Sequence, residues 1–196
     1  MDNRWWKSVG RLLGALALVL CLPALATSVL GVDLDQLTRQ SELVVRGVVK
    51  SKESRWSGDG RRILTDVQIE VQESLKGGAP ARTVTVQQPG GVVGDIGQRV
   101  DGLASFQMGE EVVVFLERWG AQRFQVTAAA QGKFRIERSS DGTRVFAVPD
   151  RSADAELLDA SGRPTTSRLQ TLELSELRDR VRRAAATDRT PRSVAQ

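Results

Sequence analysis

The chain contains no histidine and no tyrosine, and its one cysteine, Cys21, lies in an apolar stretch near the start. Without histidine there is no Ser-His-Asp triad and no Cys-His pair, and a lone cysteine leaves neither an internal disulfide nor a thiolate zinc site. Lysine is scarce as well, 5 residues against 23 arginines. No Ser-x-x-Lys spacing occurs, and the adjacent Ser51 and Lys52 would point to opposite faces of a strand. Paired carboxylates for glycoside hydrolysis can meet from distant parts of a chain, but sugar sites usually need aromatic platforms. Beyond the first stretch Trp56 and Trp119 are the only large flat rings; each is expected in the core, with a contact surface as the alternative. A non-enzyme is expected, with no cofactor and no metal.

What is present begins with a leader. Arg4, Lys7 and Arg11 form a positive start, residues 12–22 an almost unbroken apolar run, and Pro23 ends it. Ala24-Leu25-Ala26 then offers small residues where a signal peptidase reads, so residues 1–26 are read as a signal peptide cleaved near Ala26, before Thr27. The run is about half of the roughly 20 residues a spanning helix needs, so no stable membrane anchor is expected after cleavage. Leu20 stands before Cys21 where a lipobox requires Gly, Ala or Ser. Cleavage removes three basic residues and one acidic residue, leaving 25 and 23, so the net charge falls from +4 to +2. The expected location is periplasmic or secreted. The remaining 170 residues are enough for one core, since a chain of that size hides about 70% of its unfolded surface.

In the exported part, Asp33 reads as the N-cap of a short helix on which Leu34 and Leu37 share a face. From Leu43 the pattern becomes β: 43–50, then 63–72 after the turn Ser57-Gly58-Asp59-Gly60, the second run alternating Thr65, Val67, Ile69 and Val71 against polar residues. Further strands are expected at 82–87, 111–118, 123–127, 132–138 and 143–148, the last two joined across Ser139-Ser140-Asp141-Gly142. Short strands with Gly, Pro and Asp turns between them, and no intervening helices, point to a small barrel or sandwich. The expected domains are a β-barrel over 27–150, a linker over 151–170, a C-terminal amphipathic helix over 171–186 and a disordered tail over 187–196. Ser175 is the expected cap of that helix, with Leu174, Leu177, Val181 and Ala184 or Ala185 on its apolar face. Its six arginines between 178 and 192 read as a solvated face favoured by the helix dipole, not as a nucleic-acid site.

The glycine-rich segment 89–98 resembles a phosphate loop but lacks the closing Lys-Ser or Lys-Thr pair, and no helix pattern follows it. It is read as a flexible loop between strands, and loops carry contacts more often than strands do. Gly90, Gly91, Gly94, Asp95 and Gly97 are therefore the candidate binding residues. Asp95 and Asp101 lack the spacing of a calcium loop.

Leu43-Val44-Val45-Arg46-Gly47-Val48-Val49, the run Val71-Gln72-Glu73-Ser74-Leu75-Lys76-Gly77, the Gly90-Gly91 pair and Met108-Gly109-Glu110-Glu111-Val112-Val113-Val114-Phe115-Leu116 follow one another in an order that resembles a family of exported bacterial proteins. More distantly, the chain is similar to the netrin-like, OB-type barrel of the tissue inhibitors of metalloproteinases. The resemblance covers about residues 34–136 and implies a mainly β fold: a small OB-like (netrin-like) β-barrel with a short N-terminal helix and a C-terminal amphipathic helix. Those inhibitors bind zinc through an N-terminal cysteine held by disulfides, and residues 27–196 contain none, so no functional residue carries over. The expected function is a non-catalytic binding module of the cell envelope or extracellular space, with a regulator or inhibitor of an exported peptidase as the alternative. An exported protein such as a peptidase is the expected partner.

Overall fold

The computed structural model describes residues 28–78, 82–150, 156–159, 161–166 and 169–188. The expected signal peptide and residues 189–196 of the expected tail lie outside the described residues. The chain is mainly β. A short strand β1 (Ser28–Leu30) leads into helix α1 (Leu34–Gln40), where Asp33 caps as expected, its carboxylate accepting from the Gln36 N–H at 2.7 Å. Strands β2 (Leu43–Trp56), β3 (Ile63–Lys76), β4 (Thr83–Pro89), β7 (Glu111–Arg118), β8 (Phe124–Val126), β9 (Lys133–Arg138), β10 (Val145–Pro149) and β12 (Leu172–Glu173) form one eight-stranded sheet. Between β4 and β7 a small hairpin stands apart, β5 (Gly91–Val93) with β6 (Ile96–Gln98). Strand β11 (Glu156–Leu158) runs parallel to β1, and helix α2 (Leu174–Asp188) follows β12.

The order in the large sheet is β12-β10-β9-β7-β2-β3-β4-β8, and β8 also pairs with β7. The strands β7-β2-β3-β4-β8 therefore curl back on themselves. Closure is uneven: β2 and β3 are paired from Val44 to Trp56, whereas β4 and β8 meet through the single parallel bridge Val86 to Phe124. Bulges near Val44, Arg46 and Val49 bend β2, as β-bulges do. Gly47 sits at the middle one, where a Cβ would collide with the Glu70 carbonyl and the Ile69 side chain, so only glycine allows the close crossing.

Two apolar cores result. Inside the curled strands lie Val45, Val49, Val67, Ile69, Val84, Val86, Val112, Val114 and Leu116, closed at one end by Ala104 and Phe106 of the 99–110 segment. On the outer side of β7 and β9, α1 and α2 bury Leu34, Leu37, Leu174, Leu177 and Val181 against Val113, Phe115, Phe134 and Ile136. The rings of Phe115 and Phe134 lie 5.7 Å apart, tilted by 49°, a favourable aromatic arrangement.

Several expectations shift. β2 and β3 run well past 50 and 72, because their polar halves remain paired. The segment 89–98 is a hairpin rather than a flexible loop. α2 begins at Leu174, which puts Ser175 inside the first turn and not at the cap, and the helix continues to Asp188. The stretch 151–170 contains β11, tied to β1 by Gly31 N–H to the Leu158 carbonyl at 2.8 Å. Trp56 and Trp119, expected in the core, are 39% and 54% exposed.

The β9–β10 turn shows how the surface loops are set. The Asp141 carboxylate accepts from Ser139 Oγ at 2.5 Å and from Thr143 N and Oγ1 at 3.1 and 2.8 Å, which lowers its pKa from 3.8 to about 2. The folded state thus holds the carboxylate more tightly than the unfolded chain, so this contribution is full above about pH 4 and is lost as pH falls through about 2. Urea midpoints compared at about pH 5 and about pH 2.5 should differ less in Asp141→Asn than in the parent. Phe115→Ala should lower stability by about 3–5 kcal/mol, read as a fall in urea midpoint with an unchanged slope.

Candidate functional site

The β5–β6 hairpin gathers the five candidate residues but gives them two different jobs. Gly90 and Gly91 form its base. Gly90 N–H donates to the Ile63 carbonyl at 2.8 Å, its own carbonyl accepts from Thr65 Oγ1 at 2.6 Å, and Ile63 N–H donates to Gln98 Oε1 at 2.8 Å. Gly91, at φ 131°, lies against the hydroxyl pair Ser54 and Thr65, which are 2.9 Å apart; a Cβ there would collide with both. These contacts hold the hairpin flat against one face of the β2–β3 ribbon.

Gly94, Asp95 and Gly97 occupy the far end and are exposed. Val93 pairs with Ile96, leaving a two-residue turn at Gly94-Asp95 with Gly94 at φ 58°, the first-position glycine that a type II′ hairpin turn takes. Val92 and Ile96 beside the turn are 66% and 55% exposed. The sequence pattern, read as a loop, gave no sign of this apolar tip. Behind the hairpin base is a cleft of about 340 Å³, lined among others by Lys52, Gln88, Gln98 and Arg99.

A second cluster is Lys133, whose side chain is 3% exposed. Its Nζ donates to Glu110 Oε1 at 2.8 Å and to the Ser105 carbonyl, lies 3.4 Å from Asp150 Oδ2, and sits 5.0 Å over the Phe106 ring. Asp150 in turn accepts from the Ser105 N–H at 3.2 Å, and Glu110 from the Gln107 N–H at 3.1 Å. One cation between two nearly buried carboxylates therefore fixes the 99–110 segment over the end of the barrel. In the sequence Lys133 is a polar residue at the start of a predicted strand, and nothing local marks it as buried.

Among the described residues no three metal-ligating side chains come together, and no helix is long and apolar enough to cross a membrane. Ser51 and Lys52 oppose Gln68 and Val67 of β3, so they face opposite sides of the ribbon, as their adjacency predicts. No family model matches the chain, and no curated protein matches it. Lys133→Ala would leave Glu110 and Asp150 buried without their cation. It should cost about 3–5 kcal/mol in urea unfolding.

Proposed function

We propose that this chain is an exported, non-catalytic binding module built on a small OB-like, netrin-like barrel, and that the β5–β6 hairpin is the surface that meets a protein partner. One observation carries the contact assignment: the hairpin is clamped at its base by hydrogen bonds to Ile63 and Thr65, while Val92 and Ile96 stand exposed at its tip. Exposed apolar side chains on a preorganised support lose little conformational freedom on binding, which favours affinity. A mobile glycine loop would lack that advantage.

The barrel reading is supported by the strand order, in which β2, β3, β4, β8 and β7 follow one another around the curl with β4 and β8 parallel. The five-stranded, partly open barrels of the OB type have this character. The export reading rests on the positive, apolar and small-residue segments of residues 1–26. A non-catalytic role is supported by the composition, which supplies no histidine, tyrosine or, past residue 26, cysteine. Regulation of an exported peptidase is the second reading, favoured by the narrow two-stranded tip, a shape suited to entering a cleft.

The test is a paired capture experiment. Residues 27–196 and a Val92→Asp/Ile96→Asp variant are immobilised and exposed to the producer's envelope extract and culture fluid in high salt. A stoichiometric protein retained by the parent and lost by the folded variant is the expected result; a peptidase slowed by an equimolar dose would select the second reading. Equal retention by both baits would remove the hairpin from the contact, and no retained protein would sink the tight-partner reading.

A further inference from the structure

We propose that the groove beneath Trp119 is a saccharide-binding site, taking a neutral or N-acetylated hexose oligosaccharide. It lies on the face of the β2–β3 ribbon opposite the β5–β6 hairpin and shares no residue with that contact. The connection from β7 to β8 is pinched shut, Trp119 N–H donating to the Arg123 carbonyl at 2.8 Å. It forms one wall of a groove of about 450 Å³ whose floor is the outer face of β2, β3 and β4.

Strand register sets that floor in two rows. Ser51, Gln68 and Thr85 are directly opposed across the three strands, and Glu53, Asp66 and Gln87 form the next row. The second row is partly engaged, since Gln87 Nε2 donates to Asp66 Oδ1 at 2.5 Å and Arg55 reaches Asp66 Oδ2 at 3.2 Å. In the first row Ser51 Oγ is buried with no hydrogen-bond partner, and the side chains of Gln68 and Thr85, like that of Glu53 in the second row, make no hydrogen bond or ion pair among the described residues. A buried hydroxyl without a partner is unusual in a folded protein and calls for an explanation.

The chemistry of these groups selects the ligand. An exposed indole offers a flat apolar face with a polar edge, which matches the C–H face of a sugar ring. Around it stand hydroxyls, an amide and a carboxylate, a mixture of donors and acceptors suited to sugar hydroxyls that both donate and accept. The charges at the groove cancel: Glu53 and Asp66 face Arg55 and Arg123, both of which pair with Asp66, at 3.2 and 3.9 Å. No positive surplus is left to hold a polyanion such as single-stranded nucleic acid. An extended peptide would seek an unpaired strand edge, but the floor strand β3 is paired with β2 on one edge and β4 on the other.

The experiment titrates chitohexaose and cellohexaose into the chain as its producer makes it, following heat and tryptophan emission. At least one should bind saturably and change the emission. Trp119→Ala should weaken that binding at least about tenfold, as loss of an anchoring tryptophan does, and Ser51→Ala by about threefold. Trp56→Ala, on the other face of the ribbon, should leave it unchanged. Trp119 is exposed, so its variant keeps the fold, which circular dichroism checks. Failure of both sugars to bind at about millimolar concentration, or binding indifferent to Trp119→Ala, overturns the proposal. So does Trp119-dependent binding of single-stranded DNA or an unstructured peptide in preference to both sugars. The hairpin variant should bind the sugars as the parent does, so either assignment can fail without the other.

Discussion

Strand β7 is the constraint on which the rest of the structure depends, because it is buried on both faces and paired along both edges. Val112, Val114 and Leu116 fill the barrel interior, while Val113 and Phe115 enter the core under the two helices. One edge takes β2 from Glu111 to Leu116; the other is shared, β9 at the first half and β8 at the second. A strand with two apolar faces reads as an unbroken run rather than an alternation. Val112-Val113-Val114-Phe115-Leu116 is such a run, and the limits of the strand around it, 111–118, were legible in sequence. The barrel and the helical layer cannot form independently, since each needs half of β7. Glu110, immediately before it, then anchors the 99–110 segment through Lys133.

Where the sequence was legible, a single local rule decided the outcome. Asp33 capped α1, and the 3.6-residue spacing of Leu174, Leu177 and Val181 placed the buried face of α2. Where it was not, the deciding partner was distant. Residues 51–56 carry Lys, Glu, Ser and Arg, which give no β pattern of their own; they are held as strand by backbone pairing to residues 63–68. The glycines at 90, 91, 94 and 97 suggested freedom, yet at two of them a side chain has no room: a Cβ on Gly90 would meet the Gln98 carbonyl, and one on Gly91 the Ser54 and Thr65 hydroxyls. For Trp56 and Trp119 the sequence left core and contact both open and favoured the core, but both are exposed, as suits a ring with an apolar face and a polar edge. Lys133 could be recognised only with Glu110 and Asp150 in place, since a buried lysine is tolerable only when paired.

The arginine-rich composition resolves in a similar way. Read in one dimension, α2 has a basic face open to solvent. In the fold, Arg178 and Arg182 both reach Glu73 of β3, at 2.7 and 3.1 Å, and Arg46 stands 3.9 Å from the same carboxylate. Arg46 also pairs with Glu111, which takes Arg138 at 2.7 Å on its other oxygen; these guanidinium partners overcome the burial of Glu111 and hold its carboxyl below the usual range. Isolated surface pairs contribute little, about 0–1 kcal/mol each. A chain of alternating charges running from helix to β3, β2, β7 and β9 acts instead as an alignment device, fixing where α2 crosses the sheet.

The β2–β3 ribbon ties the two proposed surfaces to one structural choice. Its side chains alternate, so Ser54 and Thr65 face the hairpin while Glu53 and Asp66 face the groove. A slip of one residue would exchange the two sets and destroy both surfaces at once. The slip is resisted by the buried set Val49, Ile69 and Val67, which it would turn outward; Lys50, the residue skipped in the pairing between Val49 and Ser51, lies with its Nζ 3.0 Å from Glu70 Oε2. Below that bulge Val49 faces the barrel core opposite Ile69; beyond it Ser51 faces the groove opposite Gln68. One extra residue therefore turns Ser51 to the outer face, while Val67, beyond the bulge, still faces the barrel core.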